Sequence, residues 1–195
     1  TVPATAKGKL VFIDFDGIYR NSEVWINGHY LGKRPYGYSS FEYELTPYLN
    51  VGPHKNVLAV KVDNSQQPNS RWYSGSGIYR NVWLTAVNPV HVDHWGTWVR
   101  TPTVTLQSAE VAIDTTIRNQ SENDKQVTLT TVIYDMIGHE AARGVKTLTA
   151  AKNATATTSQ ELSVKNPGIW SIDAPYLYKA VTLVSTGGRS VDRYE

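Results

Sequence analysis

The sequence predicts an all-β protein made of two consecutive β-sandwiches. Most segments alternate apolar and polar residues with the two-residue period of strands, and no window of about ten residues follows the helical period of 3.6. Asn88-Pro89 interrupts the alternation, which restarts at Val90. We therefore expect one domain over residues 1–88 and a second over residues 89–195.

A tight hairpin is predicted near the start of the first domain. Residues 23–26 and 29–31 are strand-like and flank Asn27-Gly28. Both residues of a two-residue hairpin turn must tolerate positive φ, so Asn-Gly between two strands is a strong hairpin signal. A later strand is expected to place Leu58, Val60 and Val62 on one face.

A polar loop with aromatic residues follows that strand, over residues 63–73. It leads into a glycine-rich turn and a second strand-like run, residues 82–86. Rings beside carboxylate, amide and guanidinium groups suit a sugar, because its C–H face packs on a ring while its hydroxyls need donors and acceptors. We predict a carbohydrate-binding rim whose substrate-binding residues are Asp63, Asn64, Arg71, Trp72 and Tyr73.

Structural roles for the same residues are the alternative. Trp72 and Tyr73 could fold back as a lid over the core and leave Arg71 as a solvated charge, while Asp63 caps the strand and Asn64 fixes the turn. Arg80 is expected to be an internal ion-pair partner, on a strand two residues before a buried Val82.

The second domain is predicted to have about seven short strands, as an immunoglobulin-like sandwich would. Residues 111–117 and 127–133 alternate as half-buried antiparallel strands, and residues 119–125 between them form a surface turn without apolar residues. Residues 136–149 contain Gly138 and Gly144, and we expect a loop there that leads into a short strand.

Carboxylate pairs that could act as acid and nucleophile are not convincing in this sequence. Asp14 and Asp16 share a strand face, but Asp16 precedes Gly17 in a predicted turn, where Asp commonly bonds its own backbone. Glu42 and Glu44 lie opposite Phe41 on a strand with a solvated side. We predict no catalytic residue in this chain.

Composition excludes several other functions. The net charge of +2 comes from 19 basic and 17 acidic residues without runs, which argues against nucleic-acid and membrane partners. There is no cysteine, and His91 and His94 would point to opposite faces of a strand, so we predict neither a metal site nor a cofactor here. The compartment stays open, with a periplasmic or extracellular location slightly favoured over the cytoplasm.

Five ordered motifs resemble the sugar-binding jelly-roll domain of glycoside hydrolase family 2, the family of β-galactosidases and β-glucuronidases. A sixth resembles the segment that closes the family's immunoglobulin-like domain. The motifs are Phe15-Asp16-Gly17, residues 24–28 with Gly32, residues 41–49, residues 56–64, residues 76–84, and Asn166-Pro167-Gly168-Ile169-Trp170 with residues 174–178.

This resemblance implies a partial jelly roll followed by an immunoglobulin-like domain. In the family both catalytic glutamates lie in a (β/α)₈ barrel that follows, so we expect the barrel and the first jelly-roll strands to be missing, and a metal ion in the full-length enzyme stays unknown. The residue 63–73 loop would then lend polar groups to a galactosyl subsite. A sheet edge left unpaired would favour association with a second copy.

Two function classes remain from the sequence. The chain is the non-catalytic part of a retaining β-galactosidase-like hydrolase, or it is an independent carbohydrate-binding or adhesion module, because sandwich folds host many functions.

Overall fold

The computed structural model describes residues 1–66 and 73–195, and these residues are almost entirely β, which confirms the predicted class. The chain divides into two compact units, Thr1–Val87 and Asn88–Glu195. Helical structure in the described residues is limited to two short 3₁₀ turns, Ala4–Ala6 and Thr46–Tyr48. Across the described ranges, no helix has the length and apolarity needed to span a membrane.

The described residues of the first unit form two three-stranded antiparallel sheets and a two-stranded ribbon. The sheet orders are β5-β1-β8 and β4-β3-β6, and the ribbon pairs β2 with β7. The strands are β1 (Leu10–Phe15), β2 (Ile18–Tyr19), β3 (Ser22–Ile26), β4 (His29–Arg34), β5 (Phe41–Glu44), β6 (Leu58–Lys61), β7 (Gly77–Ile78) and β8 (Val82–Val87).

The predicted Asn-Gly hairpin is confirmed between β3 and β4. Ile26 pairs with His29, and both turn residues have positive φ, 49° at Asn27 and 84° at Gly28. The Asn27 side chain also joins this turn to the segment before β6. Its Nδ2 donates to the carbonyl of Tyr48 at 2.7 Å, and its Oδ1 accepts from the amide of Val57 at 2.9 Å.

The core of the first unit lies between its two sheets and includes Phe41 on the outer strand β5, but it stops short of the other outer strand of that sheet, β8. Ile13 and Phe15 on β1 are buried, yet their partners on β8, Leu84 and Val82, are 56% and 41% exposed. Directly opposed residues point to the same sheet face, so both side chains lie on the core-facing side without cover. The expected burial of Val82 is therefore wrong, and Leu58 on the edge strand β6 is likewise exposed.

The second unit is a sandwich of two antiparallel sheets, ordered β13-β10-β9 and β12-β11-β14-β15. Its seven strands agree in number with the prediction, but most are long rather than short. They are β9 (Val90–Val104), β10 (Ser108–Asn119), β11 (Lys125–Tyr134), β12 (Glu140–Ala150), β13 (Ala154–Lys165), β14 (Lys179–Thr186) and β15 (Arg189–Tyr194).

One of these strands replaces a predicted loop. Residues 140–150 form β12, where we expected a loop and a short strand. Gly144 lies inside this strand, and its lack of a side chain has a packing reason. A Cβ there would come within 2.5 Å of Leu162 Cδ2 on β13. The glycine thus marks close packing between the sheets and not a chain break.

The turn between β10 and β11 carries the chain from one sheet to the other. Asn119, expected at the surface, is fully buried. Its Nδ2 donates to the carbonyls of Asn123 and Ala150, both at 2.9 Å, and its Oδ1 accepts from the amide of Ser121 at 3.0 Å. A polar residue is buried here because its amide satisfies the backbone of two turns.

The two ends of this sandwich differ in polarity. One end carries the turns at residues 120–124, 151–153 and 187–188, which consist of polar residues and glycine except for Ala151. The other end, which we call the apolar end, carries the loops at residues 105–107, 135–139 and 166–178. Its exposed apolar side chains are Leu106, Met136, Ile137, Ile169, Trp170, Ile172 and Leu177.

Candidate functional site

The predicted site residues lie in the first unit, between β6 and β7. Asp63 and Asn64 follow β6, and Tyr73 precedes β7. Arg71 and Trp72 fall outside the described residues. Tyr73 is 94% exposed, so it does not act as a lid over the core. Asn64 is half-buried and makes further contacts of its own.

Asp63 is fixed from both its backbone and its side chain. Its amide donates to the carbonyl of Arg20 at 3.1 Å, and its carbonyl accepts from Asn21 Nδ2 at 3.0 Å. Its Oδ1 accepts from the amide and the hydroxyl of Ser65, at 3.0 and 2.6 Å. The carboxylate thus forms a local turn after β6, whereas the alternative role that the sequence gave Asp63 was to cap the strand.

The Ser65 hydrogen bonds also set the charge of Asp63. They lower the pKa of this exposed carboxyl below its ordinary value, and the nearby Lys61 and Lys33 add a smaller effect in the same direction. Asp63 is therefore ionised at neutral pH and can only accept hydrogen bonds. Such a group suits a ligand that presents hydroxyl donors.

Four tyrosines form a cluster beside this segment, which we call the tyrosine cluster. Ring centroids are 5.3 Å apart between Tyr19 and Tyr38, 5.6 Å between Tyr36 and Tyr38, and 6.5 Å between Tyr38 and Tyr79. Tyr36 and Tyr38 are 64% and 62% exposed, so their rings face solvent. Partial desolvation and the neighbouring Tyr19 raise the pKa of Tyr38.

Glycine and backbone contacts hold the tyrosine cluster together. A Cβ on Gly37 would meet the Tyr19 ring at 2.3 Å, so only glycine lets that ring pack against the loop. The Tyr79 hydroxyl donates to the Gly37 carbonyl at 2.9 Å. Asn21, whose side chain contacts Asp63, also donates its backbone amide to the Pro35 carbonyl at 3.2 Å. Asn21 therefore joins Asp63 to the loop that carries Tyr36 and Tyr38.

The sequence interpretation missed this cluster. Pro35-Tyr36-Gly37-Tyr38 lies outside the six sequence motifs, although a glycine between two aromatic residues near a turn could have indicated an exposed ring surface. Tyr19 and Tyr79 could not be added from sequence, because the β2–β7 ribbon that brings them near is only two residues long in each strand.

The contacts of these carboxylates differ from the two same-strand pairs considered from the sequence, Asp14 with Asp16 and Glu42 with Glu44. Asp16 Oδ2 accepts a hydrogen bond from Trp83 Nε1 on β8 at 3.3 Å. We had expected the Asp16 side chain to bond the backbone of its own turn instead. Asp14 lies directly opposite Glu42 on β5, on the outer face of the sheet. Asp14 and Glu42 each make further contacts. Strand register, which the sequence does not reveal, decides which carboxylates meet.

Arg80 does not occupy the position that we expected. It lies in an exposed bend between β7 and β8, and not inside a strand. The expectation failed because the strand begins only at Val82 and because β8 is an edge strand with both faces partly open.

Histidines in the described residues do not form a metal site. His91 is buried, and its Nδ1 lies 2.8 Å from the carbonyl of Asn88, while the His94 ring packs at a tilt against Trp95 with ring centroids 4.5 Å apart. Over residues 1–66 and 73–195, no group of three or more potential metal ligands comes together.

A cavity opens at the apolar end of the second unit. It encloses about 510 Å³ and is lined mainly by apolar side chains, among them Val111, Ile133 and Trp170. The late sequence motif builds its wall, because the Tyr176 ring packs over Gly168 and the Tyr178 hydroxyl accepts from the Gly168 amide at 2.8 Å. The lining offers a contact surface and little chemistry.

Comparison with known families matches both units. Residues 3–88 match the model described as the sugar binding domain of glycosyl hydrolases family 2, and residues 90–195 match the model described as glycosyl hydrolases family 2.

Relatives of known name agree with these matches. The chain is 50% identical to the β-galactosidase BoGH2A of Bacteroides ovatus over 96% of its own length and 22% of that protein. It is 31% identical to a β-glucuronidase of Formosa agariphila, covering all of this chain and 22% of the relative. The chain thus spans about a fifth of these relatives.

Solved structures give the same result. A glycosyl hydrolase family 2 member from Bacteroides cellulosilyticus superposes with a TM-score of 0.94 at 37% identity, over 99% of this chain and 26% of that one. A β-glucuronidase from glycoside hydrolase family 2 also gives a TM-score of 0.94, at 30% identity, over all of this chain and 22% of that structure.

Proposed function

Since this chain belongs to glycosyl hydrolases family 2, we propose that it is the non-catalytic sugar-binding and immunoglobulin-like part of a retaining hydrolase of β-galactosides. The observation that carries the proposal is the end-to-end match of the two family models over residues 3–88 and 90–195. The family resemblance places the catalytic glutamates in a barrel, outside the segments matched here.

Galactosides are favoured over glucuronides by sequence similarity. Identity is 50% to a relative named β-galactosidase, 43% to one named putative β-glucuronidase and 31% to one named β-glucuronidase, over nearly the same residues of this chain. The ionised Asp63 fits the same choice, because a carboxylate accepts from the neutral hydroxyls of galactose and repels the carboxylate of a glucuronide.

The first unit contributes its rim to the sugar subsite in this proposal. Asp63 Oδ1 is engaged by Ser65, so Oδ2 is the oxygen that accepts from a sugar hydroxyl. Asn64 supplies an amide beside it, while Arg71, Trp72 and Tyr73 complete the loop. The exposed rings of the tyrosine cluster extend the surface for the less polar face of the sugar.

The second unit supports the catalytic part through its apolar end. Seven exposed apolar side chains there adjoin a cavity lined mainly by apolar groups. Monomeric soluble proteins rarely leave contiguous apolar patches uncovered, so this end suits packing against another part of the full-length hydrolase.

An activity measurement tests whether this chain is non-catalytic while the full-length protein is a hydrolase. We expect the 195-residue chain to leave p-nitrophenyl β-galactoside intact and the full-length protein to cleave it, and to cleave the β-glucuronide more slowly. Turnover by the 195-residue chain at an enzyme-like rate would contradict the proposal. Tight galactoside binding by the chain, with no hydrolase activity in the full-length protein, would favour the independent binding module.

Substitution of Asp63 tests the subsite. In the full-length protein we expect Asp63→Ala to lower kcat/KM for the galactoside by about tenfold or more, because a hydrogen bond to a charged group is lost. Ser65→Ala is the matched control, since it alters the same turn and keeps the carboxylate. Unchanged kinetics in Asp63→Ala would remove the residue from the subsite.

A further inference from the structure

An exposed tryptophan on the second unit is held in place by its own strand. Trp98 lies on β9 and is 62% exposed. Arg100, two residues further along, lies over the ring with its Cζ 4.3 Å from the ring centroid. Since so much of Trp98 stays exposed while the guanidinium covers one ring face, the opposite face is open to solvent.

The Arg100 guanidinium is fixed in turn by two neighbouring strands. Its Nη2 donates to Asp114 Oδ2 on β10 at 2.6 Å, and Asp114 Oδ1 accepts a hydrogen bond from the hydroxyl of Ser159 on β13. The Ser159 bond and the Arg100 charge lower the pKa of Asp114, so it remains a carboxylate at neutral pH. Each group restrains the next, and the ring is held in one orientation.

These groups share the outer face of the sheet. Trp98 pairs with Asp114, and Asp114 pairs with Ser159, so the three side chains stand in one row across β9, β10 and β13. Ile113, the neighbour of Asp114, is fully buried and points to the core, which places the row on the opposite, solvent-facing side.

The next row along β10 and β13 supplies hydroxyl groups. The Thr116 and Thr157 hydroxyls lie 2.8 Å apart, on the same face as Asp114 and Ser159. The charges of Arg100 and Asp114 offset each other. Glu161 on β13 adds a carboxylate on the same face, opposite Ala112, which disfavours an anionic ligand. The surface therefore combines one open aromatic face with hydroxyl donors and acceptors, and it favours a neutral ligand rich in hydroxyls.

We propose that the open face of Trp98 is a second carbohydrate-binding surface, which stacks a neutral pyranose ring and directs its hydroxyls toward Thr116 and Thr157. Because Arg100 already holds the ring, binding loses little side-chain entropy. This surface lies on the second unit, whereas the subsite proposed around Asp63 lies on the first. It would hold a polysaccharide without cleaving it.

Nuclear magnetic resonance of the tryptophan indoles tests the proposal directly. The chain has six tryptophans, so the ¹⁵N-labelled 195-residue chain gives a small set of indole signals, and Trp98→Phe identifies the signal of Trp98. On titration with β-1,4-galactobiose we expect that signal to shift saturably. The absence of any shift at millimolar sugar would overturn the proposal.

Two variants distinguish sugar binding at Trp98 from the effect of removing any exposed tryptophan. We expect Trp98→Ala to weaken galactobiose binding by about tenfold or more, through loss of the stacked ring. Trp95→Ala is the matched control, because Trp95 is 67% exposed and its ring packs at a tilt against His94 instead of an ion-paired arginine. An equal loss of affinity in Trp95→Ala would move the site away from Trp98.

Asp114→Asn tests the bracing row. It keeps the size of the side chain and removes the ion pair, so we expect affinity to fall several-fold while the other indole signals stay dispersed as in a folded chain. Unchanged affinity would overturn the positioning role of Asp114. Asp63→Ala should leave the Trp98 shift intact, so failure here and failure of the proposed subsite are distinguishable.

Discussion

Gly144 is a residue whose missing side chain makes room for a neighbour in the facing sheet. A Cβ there would meet Leu162 Cδ2 at 2.5 Å, in a packed interior. We expect Gly144→Ala to lower the free energy of unfolding by about 1–3 kcal/mol, the usual cost of overpacking. Chemical denaturation measures this difference.

Val145→Thr is the control for that measurement. Val145 is 61% exposed, adjacent to Gly144 on the opposite face of β12, and the replacement keeps a β-branched side chain. Its effect should stay within about 0.5 kcal/mol. If both variants lose the same stability, strand propensity and not the Leu162 contact is responsible.

His91 gives the second unit a dependence on pH. Burial lowers the pKa of His91, while the hydrogen bond to Asn88 and the nearby Asp192 oppose this effect. The unfolded chain therefore binds a proton more readily than the folded one. Stability should be fully present above about pH 6.5, the ordinary His pKa, and should fall as the pH drops below it.

Denaturation at several pH values tests this effect. In His91→Asn, which offers an amide near the position of Nδ1, the loss of stability between about pH 6.5 and pH 5 should become smaller. Desolvation raises the pKa of Asp93, but the hydrogen bond and charge of Arg118 outweigh it, so the pKa is lowered overall. Asp93 therefore acts only at lower pH, and an unchanged slope in His91→Asn would contradict the assignment.

At the scale of elements, the hairpin shows how a local signal can join distant segments. Asn27 adopts the positive φ of the turn, and its side chain bonds Tyr48, Asn56 and Val57. Asn27→Gly keeps the backbone conformation without strain and removes these bonds. We expect it to lower the free energy of unfolding by about 2–4 kcal/mol.

Gly28→Asn is the matched variant for the hairpin. Asparagine also tolerates positive φ, and a Cβ at Gly28 would meet no atom within 4 Å. Its cost should be about 1 kcal/mol or less. A larger loss in Gly28→Asn than in Asn27→Gly, measured by thermal or urea unfolding, would show that turn conformation outweighs the side-chain bonds.

Elements with local signals were predictable from the sequence, whereas those set by neighbours were not. The Asn-Gly turn and the alternation of residues 111–117 depend on adjacent residues, and both were found. β12 was missed because Gly144 depends on Leu162, which is 18 positions away in the sequence. The exposure of Val82 was missed because alternation does not tell whether a strand is central or lies at an edge.

The candidate site likewise has residues that could be predicted from the sequence and residues that could not. Asp63 and Tyr73 could be named because they stand in one loop, and their binding role stays a prediction. The tyrosine cluster, the Asp14–Glu42 register and the row from Trp98 to Ser159 require residues from separate strands. Sequence periodicity alone does not pair such strands.

At the scale of the whole molecule, the uncovered face of β8 predicts self-association. Leu84 and Val82 are exposed on the core-facing side of an edge strand, and such edges pair readily with other strands. We expect light scattering to detect dimers or larger species of the 195-residue chain as its concentration rises.

A charge on that face should suppress the association. Leu84→Lys places an ammonium group where a second copy would pack, whereas Ala151→Lys adds the same charge in a polar turn of the second unit. Only the first substitution should shift the chain toward monomer. A strictly monomeric parent chain at high concentration would contradict the prediction.

The polar turns of the second unit have a practical consequence for engineering. Loop tips with small or polar residues accept inserted sequence more readily than packed loops do. A fluorescent reporter or affinity tag placed at Gly187-Gly188 would therefore leave both the apolar end and the Trp98 face accessible. Immobilising the protein through that tag would present these two surfaces to a soluble analyte in a biosensor.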